Sequence, residues 1–139
     1  MLPFPVTLTP GESPYRQVVY AATKAVVAGV MPAGTPFPSV RELSQALRIN
    51  PNTAHKVVSE LVRNGLLEVL PGVGTVVARS SHASAADRAA LLSTQVEQLV
   101  VEALRLGVDE HTVQQAMTAR WRELSGADLP DPSPTDADE

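Results

Sequence analysis

The pattern of apolar and polar residues predicts an amphipathic helix near the start of the chain. Ser13 and Pro14 form a favourable N-cap and first helical residue, because proline lacks the N–H that this position leaves unpaired. The apolar residues that follow recur at the three- and four-residue spacing of one helix face: Tyr15, Val18, Val19, Ala22 and Val26. Gly29 suits the end of this helix, and the prolines of residues 30–38 predict an ordered loop after it.

Two more helices follow, and only a tight turn around Ile49 separates them. Ser39 and Glu42 form a capping box, in which each side chain satisfies a backbone N–H of the other residue. Asn50 caps the third helix, which spans 51–64 and ends beside Gly65. The residues predicted to face the core are Val40, Leu43 and Leu47 in the second helix, and Ala54, Val57, Val58, Leu61 and Val62 in the third.

A β-hairpin is predicted after the third helix. Residues 66–70 and 75–78 are rich in β-forming side chains, and they flank the turn sequence Pro71-Gly72-Val73-Gly74. Three helices and a hairpin, with a tight turn between the second and third helices, describe a winged helix-turn-helix. The fold class is therefore mainly α with a small β-hairpin, and we assign this domain to residues 1–79.

The pattern changes after residue 84, where apolar residues alternate between steps of four and three, the heptad spacing of a helix that packs against another helix. This run consists of Ala85, Ala89, Leu92, Val96, Leu99, Ala103 and Leu106. Asp109 caps a last helix, whose apolar residues are Val113, Ala116, Met117, Trp121 and Leu124. Two helices of about 22 and 16 residues cannot bury these side chains by themselves.

We therefore expect residues 80–126 to be a two-helix dimerisation arm. The side chains expected in the interface are Leu92, Val96, Leu99, Ala103, Leu106, Val113, Met117 and Trp121. The remaining residues, 127–139, contain three prolines and five acidic residues without periodicity, which predicts a disordered acidic tail.

Composition narrows the function classes. The 139 residues include no cysteine, which excludes disulfides, cysteine-ligated metals and a thiol nucleophile. His82 and His111 lie apart from each other and from carboxylates at metal-ligand spacing, and no phosphate-binding or serine-hydrolase motif occurs. We expect no metal, no cofactor and no enzyme activity. No apolar run is long enough to cross a membrane and no secretory signal is evident, so we expect a cytoplasmic protein.

The net charge of −4 argues at face value against a nucleic-acid partner. The sum hides a division, however. Residues 1–80 carry seven Lys or Arg against four acidic residues, a net charge of +3, whereas residues 81–139 carry four Arg against eleven acidic residues, a net charge of −7. This asymmetry indicates two separate roles in one chain.

The polar residues of the third helix are candidates for DNA contacts, because a recognition helix points its N-terminus into the major groove. The polar residues that remain outside the core set are Asn50, Asn52, Thr53, His55, Lys56, Ser59 and Glu60, and the first five are the predicted contacts. Arg41 stands at the positive end of the second helix, where a phosphate or guanine would offset its charge. Gly72 lets the hairpin backbone approach DNA. The alternatives are a solvated helix face, Asn50 as a cap alone, Arg41 in a surface ion pair, and Gly72 as a turn former alone.

Four motifs carry a resemblance to a known family: Pro38-Ser39-Val40-Arg41-Glu42-Leu43, Ile49-Asn50-Pro51-Asn52-Thr53, Asn64-Gly65-Leu66 and Gly72-Val73-Gly74-Thr75. Their order and spacing, over about residues 14–79, resemble the DNA-binding domain of GntR-family transcriptional regulators. The Asn-Pro-Asn-Thr sequence and the two-helix C-terminal region are similar to the YtrA-like subfamily. The resemblance implies DNA contacts at Arg41, Asn52, Thr53, His55 and Gly72, dimerisation through the C-terminal helices, and repression at a palindromic operator.

We therefore predict a homodimeric regulator that places the helix 51–64 of each protomer in a major groove of a double-stranded DNA operator. The alternative is a winged-helix protein-interaction module that does not bind DNA, since the hairpin tip carries no Arg or Lys. The residues after the wing leave no room for a separate ligand domain, so any small-molecule effector would bind at the dimer interface or between domains.

Overall fold

The computed structural model describes residues 1–79 and 84–126, and the chain divides into two compact units at residues 83 and 84. The first unit contains α1 (Pro14–Val27), α2 (Val40–Leu47), α3 (Pro51–Arg63), β1 (Leu67–Leu70) and β2 (Gly74–Val77). The second contains α4 (Ala85–Ala90), a π-helical turn (Leu91–Gln95), α5 (Val96–Leu106) and α6 (Glu110–Ser125). The predicted fold class, mainly helical with an antiparallel hairpin, is confirmed.

Side-chain caps fix where the helices of the first unit begin. The Ser13 hydroxyl accepts a hydrogen bond from the Arg16 N–H at 3.3 Å, at the start of α1. At the start of α2, the Glu42 N–H donates to the Ser39 hydroxyl at 3.1 Å and the Ser39 N–H donates to the Glu42 carboxylate at 2.9 Å. The capping box that the sequence predicts is therefore confirmed, and it fixes the first turn of α2.

The core of the first unit lies where α3 packs against α1 and α2. Leu43 of α2 and Val57 and Leu61 of α3 are almost fully buried, together with Val18 of α1 and Val77 of β2. The remaining apolar residues predicted for α2 and α3 are buried or half-buried against this cluster. Because the core takes one face of α3, the opposite face stays in solvent.

The hairpin forms the wing, and a strand-like segment, residues 35–37, pairs with it. The sequence pattern predicts a loop at these residues. Strand β2 begins at Gly74, which the pattern placed in the turn, and Leu70 pairs with Gly74 at the tip. The Phe37 N–H donates to the Thr75 carbonyl at 2.9 Å, and the Val77 N–H donates to the Thr35 carbonyl at 2.9 Å. The loop before α2 is therefore joined to the wing along β2.

The first residues of the chain belong to the folded unit, although the sequence pattern assigned them no structure. Phe4 is buried and its ring stacks on Phe37, with centroids 5.6 Å apart and an interplanar angle of 12°. The Thr9 N–H donates to the Gln17 side-chain oxygen at 2.6 Å, and the Gln17 amide donates back to the Thr9 carbonyl at 3.1 Å. Through Phe4 and Thr9, the N-terminal segment contacts both the strand-like segment beside the wing and α1.

The second unit departs from the continuous α-helix that its heptad spacing predicts. Residues 85–106 are helical throughout, but Leu91–Gln95 form a π-helical turn. The Ser93 hydroxyl donates to the Ala89 carbonyl at 2.7 Å, a side-chain bond that competes with the α-helical pattern. Because a π-helical turn holds more residues than an α-helical one, Ala85 and Ala89 do not continue the face formed by the apolar residues of α5.

The predicted helix ends at Gly107 and Asp109 are confirmed within the second unit. The long helix ends at Gly107, and Asp109 caps α6 by accepting from the Thr112 N–H at 2.9 Å. Among the described residues, every helix is too short or too polar to span a membrane. His82 and the predicted acidic tail, residues 127–139, lie outside the described residues.

Candidate nucleic-acid interface

The exposed face of α3 brings together most of the residues predicted to contact DNA. Asn52, His55 and Lys56 are exposed and Thr53 is half-buried, whereas Ala54 between them is fully buried. Positions 52, 55 and 56 share one helix face, since residues three and four apart are neighbours. The described part of the chain therefore presents amide, imidazole and ammonium groups side by side on a helix whose other face is fixed in the core.

Asn50 has a defined structural role at the N-terminus of this helix. Its side-chain oxygen accepts a hydrogen bond from the Asn52 N–H at 2.7 Å. This bond satisfies one of the backbone N–H groups that every helix start leaves unpaired. The capping interpretation of Asn50 is thereby confirmed, and a DNA contact by its exposed amide remains a prediction. The helix ends one residue earlier than predicted, at Arg63, with Asn64 as its C-cap.

Arg41 is exposed on the first turn of α2. Within residues 1–79 and 84–126 the ion pairs join Arg63 to Glu60, Arg105 to Glu102, and Arg120 to Glu123. Arg41 takes part in none of them, so the structure does not support the alternative of a surface ion pair. Its neighbour in sequence, Glu42, is held in the capping box instead.

The start of α2 favours the ionised form of the Glu42 carboxylate. Hydrogen bonds from the Ser39 backbone N–H and then from the Ser39 hydroxyl lower the pKa of Glu42 below its ordinary value of 4.5. An anion beside the first backbone N–H groups of a helix is also favoured by the helix dipole. The capping box thus fixes the first turn of α2, and the Arg41 side chain on this turn is exposed to solvent.

The turn between α2 and α3 sets the position of the exposed α3 face, and a serine that the sequence pattern did not predict holds it. Ser44 is buried, its hydroxyl donates to the Ile49 carbonyl at 2.7 Å, and its own carbonyl accepts from the Ile49 N–H at 3.1 Å. The signal was present in the sequence, since residue 44 falls on the same helix face as Val40 and Leu47. Because Ser44 is polar, the pattern of apolar residues does not include it in the core.

The tip of the wing is apolar and open. The Val73 N–H donates to the Leu70 carbonyl at 3.0 Å, and Gly72 has a φ of +76°, the left-handed conformation that the third position of a type II turn requires. A Cβ at Gly72 would meet no atom within 4 Å. Val69 and Val73 are exposed beside it. The wing therefore offers backbone and small apolar groups, with no cation between residues 66 and 78.

The residues predicted for dimerisation lie in the second unit and divide into two groups. Helices α5 and α6 line an apolar groove of about 410 Å³. Five of the predicted residues line it: Val96, Leu99, Ala103, Val113 and Met117. Leu92, Leu106 and Trp121 are exposed outside the groove. Within residues 84–126 no side chain is buried, so this apolar surface has no cover within its own unit.

Comparison with known proteins places this geometry in a family. The family model described as bacterial regulatory proteins, gntR family, matches residues 14–77. The HTH-type transcriptional repressor YtrA of Bacillus subtilis is 32% identical over 96 residues, which cover 68% of this chain and 74% of the relative. The match to the family model spans all the elements of the winged helix-turn-helix, from α1 to β2.

Solved structures agree over most of the chain. The crystal structure of a transcriptional antiterminator from Listeria monocytogenes superposes with a TM-score of 0.76 at 25% identity, over 92% of this chain and 96% of that one. YtrA from Sulfolobus acidocaldarius, a GntR-family transcription factor, has a TM-score of 0.50 at 20% identity and covers 86% of this chain and 97% of its own, which supports the fold alone. The chain belongs to the gntR family of bacterial regulatory proteins and is a transcriptional regulator with a DNA-binding winged helix-turn-helix domain.

Proposed function

We propose that this regulator is a homodimeric repressor that binds a palindromic double-stranded DNA operator, with α3 of each protomer in a major groove. The observation that carries the proposal is the exposed polar face of α3, held in place by a buried opposite face and a hydrogen-bonded turn. The repressor role is supported by the relative from Bacillus subtilis, which is named as a repressor. The protein would act in the cytoplasm, where its operator lies.

Each exposed side chain of the interface has a chemical role in this proposal. The Asn52 amide suits a bidentate contact with adenine, and Lys56 suits a guanine or a phosphate. Thr53 and His55 supply further hydrogen bonds, and the Thr53 methyl group suits a thymine methyl. Arg41 has no ion pair among the described residues, and its guanidinium would bind a phosphate beside the groove.

The dimer is supported by the uncovered apolar surface of the second unit. A helix pair with no buried side chain gains little stability from its own contacts, because short helices depend on packing of an apolar face. A second copy of the same surface would cover it through a two-fold axis. A two-fold dimer of helix-turn-helix domains reads two half-sites whose centres lie about one helical turn, roughly 10 bp, apart.

A second candidate function is favoured by one observation. Val69 and Val73 are exposed at a wing that has no cation, which suits a protein-interaction module better than a DNA reader. Salt dependence separates the two functions. DNA binding releases counterions from phosphates, so its affinity falls steeply as salt rises, whereas an apolar protein contact does not follow this dependence.

The test is a titration of the full chain with a fluorescent duplex of random sequence, about 30 bp long, at several salt concentrations. The proposed function predicts measurable binding at low salt, with a logarithmic affinity that falls linearly as the logarithm of the salt concentration rises. A chain that does not bind the duplex at low salt would support the protein-interaction module and contradict DNA recognition.

A further inference from the structure

The turn between α2 and α3 holds an arginine in a backbone conformation that arginine rarely adopts. Arg48 has a φ of 56° and a ψ of 46°, and it is the one non-glycine residue with positive φ in the described ranges 1–79 and 84–126. The turn requires this conformation, because the Ser44 carbonyl accepts hydrogen bonds from the N–H groups of both Arg48 and Ile49. A Cβ in the left-handed region lies too close to the next carbonyl oxygen, so glycine would fit here at lower cost.

Ion pairs among the described residues do not account for an arginine at this position. The Arg48 side chain is exposed, and it joins none of the three ion pairs that the structure shows within residues 1–79 and 84–126. The remaining attraction is with the carbonyl groups at the C-terminal end of α2, which favour any cation. Strained residues cluster at functional sites, so an arginine in a conformation that suits glycine points to a role outside the folded chain.

Arg48 also lies beside the candidate DNA interface. It comes two residues before Asn50, the N-cap of α3, and the N-terminus of the recognition helix is the end that enters the major groove. The walls of that groove are the two phosphate backbones. With Arg41 on its first turn, α2 carries an exposed guanidinium at each end.

We propose that Arg48 is a phosphate contact, whose guanidinium binds the DNA backbone at the edge of the major groove into which α3 inserts. The planar guanidinium donates two parallel hydrogen bonds to one phosphate, which a glycine cannot do. This inference rests on the proposed function, since it requires the chain to bind duplex DNA. The contact is independent of base sequence, so it can be measured before the operator is known.

The experiment compares thermal stability with salt-dependent binding in one set of variants. The full chain is titrated with the same random-sequence duplex of about 30 bp, and its Tm is measured without DNA. Arg48→Gly relieves the backbone strain and removes the guanidinium, so we expect a Tm higher by a few degrees and weaker binding. The slope of log affinity against log salt should become shallower by about 0.9 for each protomer.

Two further variants of Arg48 isolate the charge. Arg48→Lys keeps the positive charge and should retain most of the salt slope. Arg48→Asn removes the charge but tolerates the left-handed conformation, and should lose the slope as Arg48→Gly does. The matched control is Arg63→Ala, which removes one cation from the last turn of α3, where Arg63 pairs with Glu60. We expect this control to leave the slope unchanged.

Three results would overturn the inference. These are an unchanged slope in Arg48→Gly, an equal loss of slope in Arg63→Ala, and a lower Tm in Arg48→Gly that accounts for the weaker binding. If the unaltered chain does not bind the duplex at low salt, the proposed function fails and this inference fails with it. If the unaltered chain binds the duplex and the Arg48 variants have the same salt slope, the phosphate contact is contradicted and the proposed function is not.

Discussion

The two units of the chain differ in how far their apolar residues are buried. In the first unit Leu43, Val57 and Leu61 are almost completely buried by other residues of the same unit. In the second, residues 84–126 bury no side chain, and Trp121 is 71% exposed. A core that closes on itself makes a domain that folds independently, whereas an open apolar surface needs another surface to be stable. This difference predicts that the stability of the second unit depends on association, and that the stability of the first unit does not.

The largest change in the free energy of unfolding is expected from a substitution in the closed core of the first unit. Leu61→Ala removes a side chain that is 1% exposed, so we expect the free energy of unfolding to fall by about 2–5 kcal/mol through lost burial and a new cavity. Denaturant unfolding followed by circular dichroism measures it. The matched control is Leu91→Ala in the second unit, where the side chain is 51% exposed and the expected change is about 0.5 kcal/mol. Equal losses in the two variants would contradict the contrast between the units.

A charged substitution in the groove tests whether the open surface of the second unit forms the dimer. Leu99 lines the groove between α5 and α6, and a partner that covers it would bury the carboxylate of Leu99→Asp without a counter-charge. We expect the dissociation constant of the dimer to rise at least about a hundredfold, or roughly 3 kcal/mol. Sedimentation equilibrium measures the constant, and Trp121 fluorescence reports unfolding of this unit, since it is the single tryptophan of the chain.

The control for this variant is Val101→Asp, which places the same charge on α5 at an exposed residue outside the groove. A dimer with Val101→Asp as weak as one with Leu99→Asp would mean that the groove is not the interface. A Leu99→Asp chain that associates as tightly as the unaltered one would remove the second unit from dimerisation.

The next largest effect is a loss of DNA affinity when one arginine is removed, and it is expected for an arginine at the interface of the first unit. Arg41→Ala removes an exposed guanidinium beside the recognition helix, so we expect operator binding to weaken by roughly 1–3 kcal/mol. Arg120→Ala removes the same charge from the second unit, where Arg120 pairs with Glu123, and should leave the affinity nearly unchanged. A gel-shift titration with a duplex selected by the unaltered chain compares them. An unchanged affinity in Arg41→Ala would take this residue out of the interface.

The smallest effect is a pH dependence at the start of α2. The Ser39 backbone N–H and hydroxyl lower the pKa of Glu42, so the folded state binds a proton at this carboxylate less readily than the unfolded chain does. The stabilisation is therefore complete above the ordinary pKa of 4.5 and is lost as the pH falls through the lower pKa of the folded state. We expect the Tm difference between the unaltered chain and Glu42→Gln to shrink below pH 4.5. A difference that stays constant down to pH 3 or so would contradict this account.

The sequence predicted the elements whose signals are local. The capping box of Ser39 and Glu42, the cap at Asn50 and the apolar face of α3 each depend on residues within a few positions of one another, and each is confirmed. The exposed face of α3 followed from these, because once the buried residues are known the remaining polar residues must face solvent. The candidate interface was therefore largely predictable, although its contacts with DNA remain a prediction.

The sequence did not predict features that depend on contacts between distant residues. Phe4 stacks on Phe37 across 33 positions, and the strand-like segment beside β2 contains Pro36, which is unfavourable in a strand. The π-helical turn was concealed because the heptad spacing continues through it unchanged. The spacing of Ser44 matches the core face of α2, but the partner of its hydroxyl, the Ile49 carbonyl, is defined only by the folded turn. The stacking of Phe4, the pairing of Pro36 and the π-helical turn have no local signal in the sequence.

The proposed function requires two copies of α3 to read duplex DNA in a two-fold arrangement. The most direct measurement is selection of bound sequences from a library of random duplexes, by the unaltered chain and by Asn52→Ala. The two-fold arrangement predicts an inverted repeat with half-sites roughly 10 bp apart, and a loss of preference at one position in each half-site for Asn52→Ala. Selection that enriches no sequence, or that enriches a single half-site without a repeat, would contradict it.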